Sequence, residues 1–326
     1  MQDSLHVNKE QYHGAVLLDV QLPLRLDCYI AQTLKLMSRS QIKRRNLKAV
    51  VNAKEVKLSF LVKTGDELAL AWDEDPPCDL MPEDIPLNII YEDEKVVVVN
   101  KAQGIVVHPA AGNWSGTLAN ALLWHFHQSA SHTGPPASIR PFIVHRLDKD
   151  TSGVIIAAAD IGTLNFLQNE FKSRRVRKTY IAITQGVPKE ERGLIANYIT
   201  RDKKTRTSFT VSDTTGKFSV TGFRVLKSFS VGGSEYAFIR LQPKTGRTHQ
   251  IRVHLKYLGC PILGDAIYGK KDKNFPDAAL MLHARRLGIT LPGNATQSVF
   301  SAGLPARFKG VLAACGRGRG TLLAFL

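Results

Sequence analysis

HRLDKDTSG, residues 145–153, is flanked on both sides by apolar runs. Residues 141–144 (PFIV) lead into it and residues 154–159 (VIIAAA) lead out. Both runs are short and rich in β-branched or bulky side chains, so they read as sheet strands. Between them lie His145, Arg146, Asp148, Lys149, Asp150 and Gly153. A packed core does not hold so many charges unpaired, whereas a turn at strand ends can present them as a site. Asp148 stands two residues from Arg146, and a neighbouring cation favours the ionised carboxylate. That suits a nucleophile better than a proton donor. Asp150 is the alternative; with Thr151 and Ser152 beside it, local hydrogen bonding in the turn would account for it as well.

A second cluster, TGRTHQIRVHL at 245–255, follows a strand-like stretch at 236–241. Gly246 offers the sharp exit. Residues 248–258 then read as a helix with Ile251, Leu255 and Leu258 on one face. Arg247 and Arg252 fall at or near its start, and either could partner Asp148. His249 and His254 are five apart, which splays them on a helix and argues against a metal pair.

The rest of the chain organises around these clusters. WDEDPPCDLMPEDIPL (72–87) carries four prolines and six carboxylates, so it cannot form a continuous helix and would repel a polyanion. It divides a small N-terminal module, 1–71, from a large domain, 88–300, with 301–326 an unassigned tail. In the module, Leu26, Ile30, Leu34 and Leu36 predict an amphipathic helix. Ser38 or Ser40 can cap a second, short helix over 41–46. Short strands fall at 50–52, 56 and 68–70, with a turn at 64–66. Arg39, Lys43, Arg44, Arg45 and Lys48 make a basic face, suited to phosphates through counterion release, or otherwise a solvated helix surface. In the large domain, strands are expected at 88–91, 95–100, 142–144, 154–159, 177–184, 207–211, 219–229 and 235–241. Helices are expected at 117–127 and 161–174. That order predicts an α+β fold on a mixed, mostly antiparallel sheet.

At 326 residues the chain can bury two cores. Its net charge of +16 favours a polyanionic partner. No stretch of about 18 apolar residues spans a membrane. The polar start MQDSLHVNKE does not read as a signal peptide. Cys28, Cys78, Cys260 and Cys315 are scattered, as expected of reduced thiols in a cytoplasmic protein.

HRLDKDTSG and GRTHQIRVHL, in that order and about a hundred residues apart, resemble two motifs of the RluA/RluD family of RNA pseudouridine synthases. VVVVNKAQGIVVHPAAGNWSGTLANALL (96–123) resembles that family's first motif, and KTYIAITQG (178–186) its tyrosine-bearing motif. GCPILGDAIYG (259–269) and LHARRLGITLPG (282–293) resemble segments further on. The N-terminal module resembles the small RNA-binding module shared by a ribosomal small-subunit protein and tyrosyl-tRNA synthetases.

The resemblance implies an isomerase that breaks the N1–C1′ bond of uridine and makes a C5–C1′ bond. No electrons are transferred and no group is added, so no cofactor is expected. It implies a central cleft across the sheet, Asp148 as nucleophile, and Arg252 as its basic partner with Arg247 in reserve. Tyr180 would stack on the base and assist proton removal from C5, or be a core tyrosine. Arg146 would fill the gap left by a flipped uridine. His145, His108 and Lys101 are further expected RNA contacts, the two histidines alternatively bracing their loops. The expected partner is RNA, most of all large-subunit ribosomal RNA, with the chain acting as a monomer. Transfer RNA, a non-catalytic RNA-binding or ribosome-assembly role, and cleavage of free nucleosides are the other readings. Where the family has a proline-containing run after the first-motif lysine, this chain has Ala102–Gln103, which should loosen that loop. Phe142 replaces the small residue usual before the Val-His-Arg segment. Lys48–Ala49 and Asn52–Ala53 replace the glycines usual in the module, so its hairpin should differ in shape.

Overall fold

The computed structural model describes residues 9–16, 23–37, 39, 42, 45–73, 80–110, 112–128, 141–202, 205 and 208–315. The chain forms two compact units, residues 1–79 and 80–326.

The N-terminal unit is built on four antiparallel strands, β1 (Lys9–Ala15), β3 (Lys48–Val51), β4 (Lys54–Val56) and β6 (Glu67–Asp73), in the order β1-β6-β3-β4. A two-stranded ladder joins β2 (Leu24–Arg25) to β5 (Leu61–Val62). Strand β6, ELALAWD, alternates strictly, and Leu68, Leu70 and Trp72 point into the core. The predicted first helix is a single α-turn, α1 (Leu26–Cys28), running into a π-helical turn, Tyr29–Thr33. Leu26, Tyr29 and Ile30 are fully buried, while Leu36 is exposed. Strand β1 carries no apolar alternation, so the sequence pattern misses it; its backbone pairs along the whole of β6. Strand β6 also takes in Trp72 and Asp73, the first residues of the expected linker.

The hairpin between β3 and β4 keeps its left-handed turn without glycine: Asn52 has φ 49° and Ala53 φ 62°. Asn52 holds it by accepting from Glu67 N at 2.9 Å and donating to Asp66 Oδ1 at 2.8 Å. Both turn positions are therefore left-handed although neither is glycine. The second predicted helix and its serine caps fall largely outside the described residues, as do the side chains of Lys43 and Arg44.

The second unit is dominated by an eleven-stranded sheet. Its strands are β7 (Ile89–Glu92), β8 (Val96–Lys101), β9 (Phe142–Ile143), β10 (Ser152–Ala158), β11 (Arg177–Gln185) and β12 (Arg192–Arg201). They continue with β13 (Phe209–Ser212), β14 (Lys217–Val231), β15 (Ser234–Pro243), β16 (Leu282–Thr290) and β17 (Gln297–Ser301). The order is β13-β12-β14-β15-β11-β16-β10-β8-β7, with β17 on β16 and β9 on β10. Every pair is antiparallel except β10 with β16. The α+β, mostly antiparallel expectation is met.

The all-valine run of β8 is explained by burial on both faces. Val96 and Val98 pack with Val154, Ile156 and Leu167 of helix α3 (Ile161–Lys172). Val97 and Val99 pack with Leu118, Leu122 and Phe126 of helix α2 (Leu118–Gln128). Each such valine contributes roughly 1.5–3 kcal/mol of apolar transfer. This central block carries the HRLDKDTSG turn at its strand ends. Asp160 caps α3 by accepting from Thr163 N at 2.8 Å.

Two expected boundaries shift. Met81 O accepts from the buried Asn120 Nδ2 at 2.8 Å, and the Glu83 carboxylate accepts from Gly116 N at 3.0 Å. Asn120 needs partners where water is excluded, so the second part of the expected linker lies along α2. Residues from 301 onward are not all tail either. Helix α5 (Ala306–Cys315) sinks Phe308, Val311 and Leu312 into the main core. No helix among the described residues is long and apolar enough to cross a membrane.

Candidate active site

The Asp148 turn is closed by Thr151 N donating to Asp148 O at 3.0 Å. Gly153 then enters β10 at φ 116°, and a Cβ there would lie 2.2 Å from Ala284 O. The sharp parallel approach of β10 to β16 therefore requires the motif glycine. The helix of the second motif is α4 (Gln250–Tyr257). Its entry does not rely on a positive φ at Gly246; His249 takes the left-handed conformation at φ 54°. Gln250 is buried and knits the entry together. Its Oε1 accepts from Thr245 Oγ1 at 2.8 Å and Arg247 N at 3.0 Å, and its Nε2 donates to Val220 O at 3.0 Å and Thr221 Oγ1 at 2.9 Å.

These elements bring Asp148 and Arg252 together. Arg252 Nη1 lies 3.4 Å from Asp148 Oδ2. The two-pronged fork of that guanidinium goes elsewhere: Nε donates to Asp265 Oδ2 at 2.7 Å and Nη2 to Asp265 Oδ1 at 2.8 Å. Asp265 is buried and held in turn by Ile267 N and Tyr268 N, each at 3.0 Å. Gly264 before it has φ 75°, and a Cβ would strike Ala278 O and Ala279 O at 2.4 Å. Arg247 does not approach Asp148; its Nε reaches toward Phe218 O at 3.4 Å.

Asp148 opens onto two adjoining hollows of about 340 and 660 Å³. The first is lined by Tyr180, Lys178, Arg247 and Thr245, the second by His108, Asn113 and Ile267. Arg146, Leu147, His249 and Arg252 border both. Such volumes hold a small ligand or a single extruded nucleoside, not a duplex. Tyr180 is aimed into the first hollow where the β11–β16 register shifts, a bulge between Thr179 and Tyr180. Burial, and then the charge of Asp148, raise its hydroxyl pKa, so it stays protonated. Lys178 Nζ donates to Thr245 O at 3.3 Å; burial brings it down to about 8, with Arg247 adding to the shift.

Three expected RNA contacts also hold the fold together, and Arg39 stays exposed while doing so. Lys101 is buried at 1 % exposure, and its ammonium donates to Ala102 O and Ile105 O at 2.8 Å and Lys149 O at 3.0 Å. It pins the first-motif loop to the Asp148 turn. Burial lowers it to about 8 against the pull of Asp150 and Asp148. Gln103 adds to the pinning, donating to Asp150 O at 3.0 Å and Leu280 O at 3.2 Å, so the loop lacking proline is tied rather than loose. His145 stacks on Phe171, ring centres 4.7 Å apart, and its Nε2 accepts from Ile156 N at 3.2 Å. Burial, with Lys178 nearby, drops it to about 3 and keeps it neutral: it braces the turn. Arg39 puts Nε and Nη2 on Asp27 Oδ2 at 3.0 and 2.7 Å. Arg25 and then Arg39 hold that buried carboxylate at about 2, so Arg39 fastens the module's fold.

His108, Arg146 and Lys48 are exposed as expected of RNA contacts, and Arg45 is half-buried. Asp265, Tyr268 and the closeness of His249 to Asp148 carry no motif signal of their own. Asp265 and Tyr268 lie within GCPILGDAIYG, and a lone acid between a glycine and apolar residues was the available signal. Among the described residues no group of three or more His, Cys, Asp or Glu is placed to hold a metal ion.

Comparison with known proteins points the same way. Residues 95–257 match the family described as RNA pseudouridylate synthase. The chain is 45 % identical over 292 residues to "Ribosomal large subunit pseudouridine synthase D" of Borreliella burgdorferi, covering 87 % of each chain. It is 39 % identical over 284 residues to "Uncharacterized RNA pseudouridine synthase YlyB" of Bacillus subtilis, covering 86 % of this chain and 90 % of that one. Among solved structures, "Human RNA Pseudouridylate Synthase Domain Containing 4" superposes with a TM-score of 0.58 at 28 % identity, over 70 % of this chain and 92 % of that one. A sheet that carries Asp148, Tyr180 and Arg252 to one cleft, and matches spanning most of the chain, lead to one conclusion: this chain belongs to the RNA pseudouridylate synthase family of isomerases.

Proposed function

We propose that the chain isomerises uridine to pseudouridine in large-subunit ribosomal RNA, with Asp148 as nucleophile. The observation that carries this reading is the pairing of Asp148 with Arg252 at the mouth of a nucleoside-sized cleft also lined by Tyr180. The carboxylate attacks C1′ or takes the proton beside it, and the freed base turns to present C5. Arg252 orients the carboxylate and balances its charge. C5 then bonds C1′ as the carboxylate is released, and the proton that leaves C5 is balanced by the one N1 gains; Tyr180, protonated, packs against the base. Arg146, exposed at the rim, replaces the flipped uridine in its stack. Arg247 and His108 meet the RNA backbone around the cleft. The Borreliella burgdorferi relative, a ribosomal large subunit pseudouridine synthase by name, favours large-subunit ribosomal RNA over transfer RNA.

The N-terminal unit binds RNA through Lys48, Arg45 and their neighbours Lys43 and Arg44. The net charge of +16 suits that partner. The protein works as a monomer in the cytoplasm; Cys28 and Cys260 are free thiols, in keeping with a reducing compartment.

Asp148→Asn is the direct test. RNA binding should persist while pseudouridine formation on large-subunit RNA disappears. Activity retained by Asp148→Asn and lost by Asp150→Asn would move the nucleophile to Asp150.

A further inference from the structure

His249 stands at the entry of α4 in a left-handed backbone conformation, φ 54°. A side chain other than glycine held there costs about 1–2 kcal/mol, and such strain gathers at functional sites. Its ring is held between Tyr268 and Phe209. Nδ1 lies 2.9 Å from the Tyr268 hydroxyl, and the rings of Tyr268 and Phe209 meet it edge-on at 5.6 Å. Phe209 N donates to the same Tyr268 oxygen at 2.9 Å, which leaves the hydroxyl proton for His249. Nδ1 is then the acceptor, and the ring proton sits on Nε2. That Nε2 faces Asp148 Oδ2 at 3.9 Å. Arg252 approaches the same oxygen. Among the described residues, the hydrogen bond from Arg252 falls on Oδ2 and none falls on Asp148 Oδ1.

We propose that His249 is a positioning residue for Asp148: with its tautomer set by Tyr268, it joins Arg252 on Oδ2 and leaves Oδ1 as the reacting oxygen. The inference rests on the reading of Asp148 as nucleophile. At 3.9 Å the two are not hydrogen-bonded, and catalytic hydrogen bonds are often long in a free enzyme and tighten in the substrate complex. Burial lowers the histidine's pKa against the pull of Asp148, consistent with a neutral donor. The other charged groups acting on it are Arg252, Asp265 and Arg146.

The test separates the ring from the backbone. Glycine adopts a positive φ freely, so His249→Gly preserves the turn while removing the donor. His249→Gln restores an N–H of similar reach. All are assayed by single-turnover pseudouridine formation on an unmodified large-subunit ribosomal RNA transcript at saturating enzyme, from pH 5 to 9. His249→Gly should melt like the wild type yet turn over about tenfold more slowly, the worth of one hydrogen bond to a charged group. Its acid limb should move to higher pH, because a carboxylate that loses a donor ionises later. His249→Gln should recover most of the rate. His249→Gly matching the wild type in rate and pH profile overturns the inference alone. An inactive wild type on ribosomal and transfer RNA transcripts alike overturns the proposed function and this inference with it.

Discussion

Arg252 and Asp265 form a bidentate pair, both bonds under 2.9 Å, with the carboxylate wholly buried. Asp265 thus sets the orientation in which Arg252 offers its remaining nitrogen to Asp148. Removing one member of a buried pair leaves the other uncompensated.

Asp265→Asn should therefore reduce turnover roughly 10²-fold, as misplacing a catalytic group by about 1 Å can. RNA affinity should hold. Arg252→Met should do at least as much, whereas Arg247→Met should mainly weaken RNA binding. Filter binding beside single-turnover rates checks all three. A near-normal rate for Asp265→Asn would detach it from the site.

Lys101→Met tests the buried ammonium. The substitution takes their side-chain donor from the carbonyls of Ala102 and Ile105, while Lys149 O keeps Gly104 N at 2.9 Å. Unsatisfied buried groups cost about 1–3 kcal/mol each. The catalytic unit should melt several degrees lower, with RNA affinity unchanged when measured below the transition. A selective loss of RNA affinity without loss of stability would return Lys101 to the RNA contacts.

Ala53→Gly concerns the module. Ala53 sits at φ 62°, where glycine carries no steric penalty. The relief is partly offset by the freer unfolded chain, leaving a net gain of up to ~1 kcal/mol in the unfolding of the N-terminal unit. Amide exchange across β3 and β4 would register it as slower opening; faster opening would contradict the turn geometry.

Acid sensitivity follows from three buried histidines. His145 is lowered to about 3, and His254 and His283 to about 4, in each case chiefly by burial. The unfolded chain takes up these protons near pH 6.5, the folded one only well below. Stability is therefore full above pH 6.5 and falls as the pH drops from 6.5 toward 4. Melting temperatures across that range should show the decline, and His283→Gln should make it shallower. A flat profile would contradict the neutral assignment.

The Asp148 turn, the strands on either side of it, the paired helix of the second motif and Tyr180 were legible because each is written in consecutive residues. Strand β12 and β16 were not read as strands, since their polar and glycine residues break the alternation that marks them. The left-handed turn at Asn52–Ala53 shows the opposite case: local propensity argued against a conformation that Asn52 holds through Glu67 and Asp66.

By itself, the sequence determined the family motifs, the α+β class, the basic charge and the residues competent for the chemistry, because these depend on composition and short-range periodicity. Only the tertiary structure decided the use of each charge. Lys101 became a buried strut, His145 a neutral brace and Arg39 an anchor for Asp27. Asp265 became the holder of Arg252, and α5 became core. A lysine or histidine reads alike in sequence whether it meets solvent or carbonyls. What separates the two is burial among partners distant along the chain, such as Lys149 for Lys101 and Arg252 for Asp148, and that exists only once the sheet has brought them together.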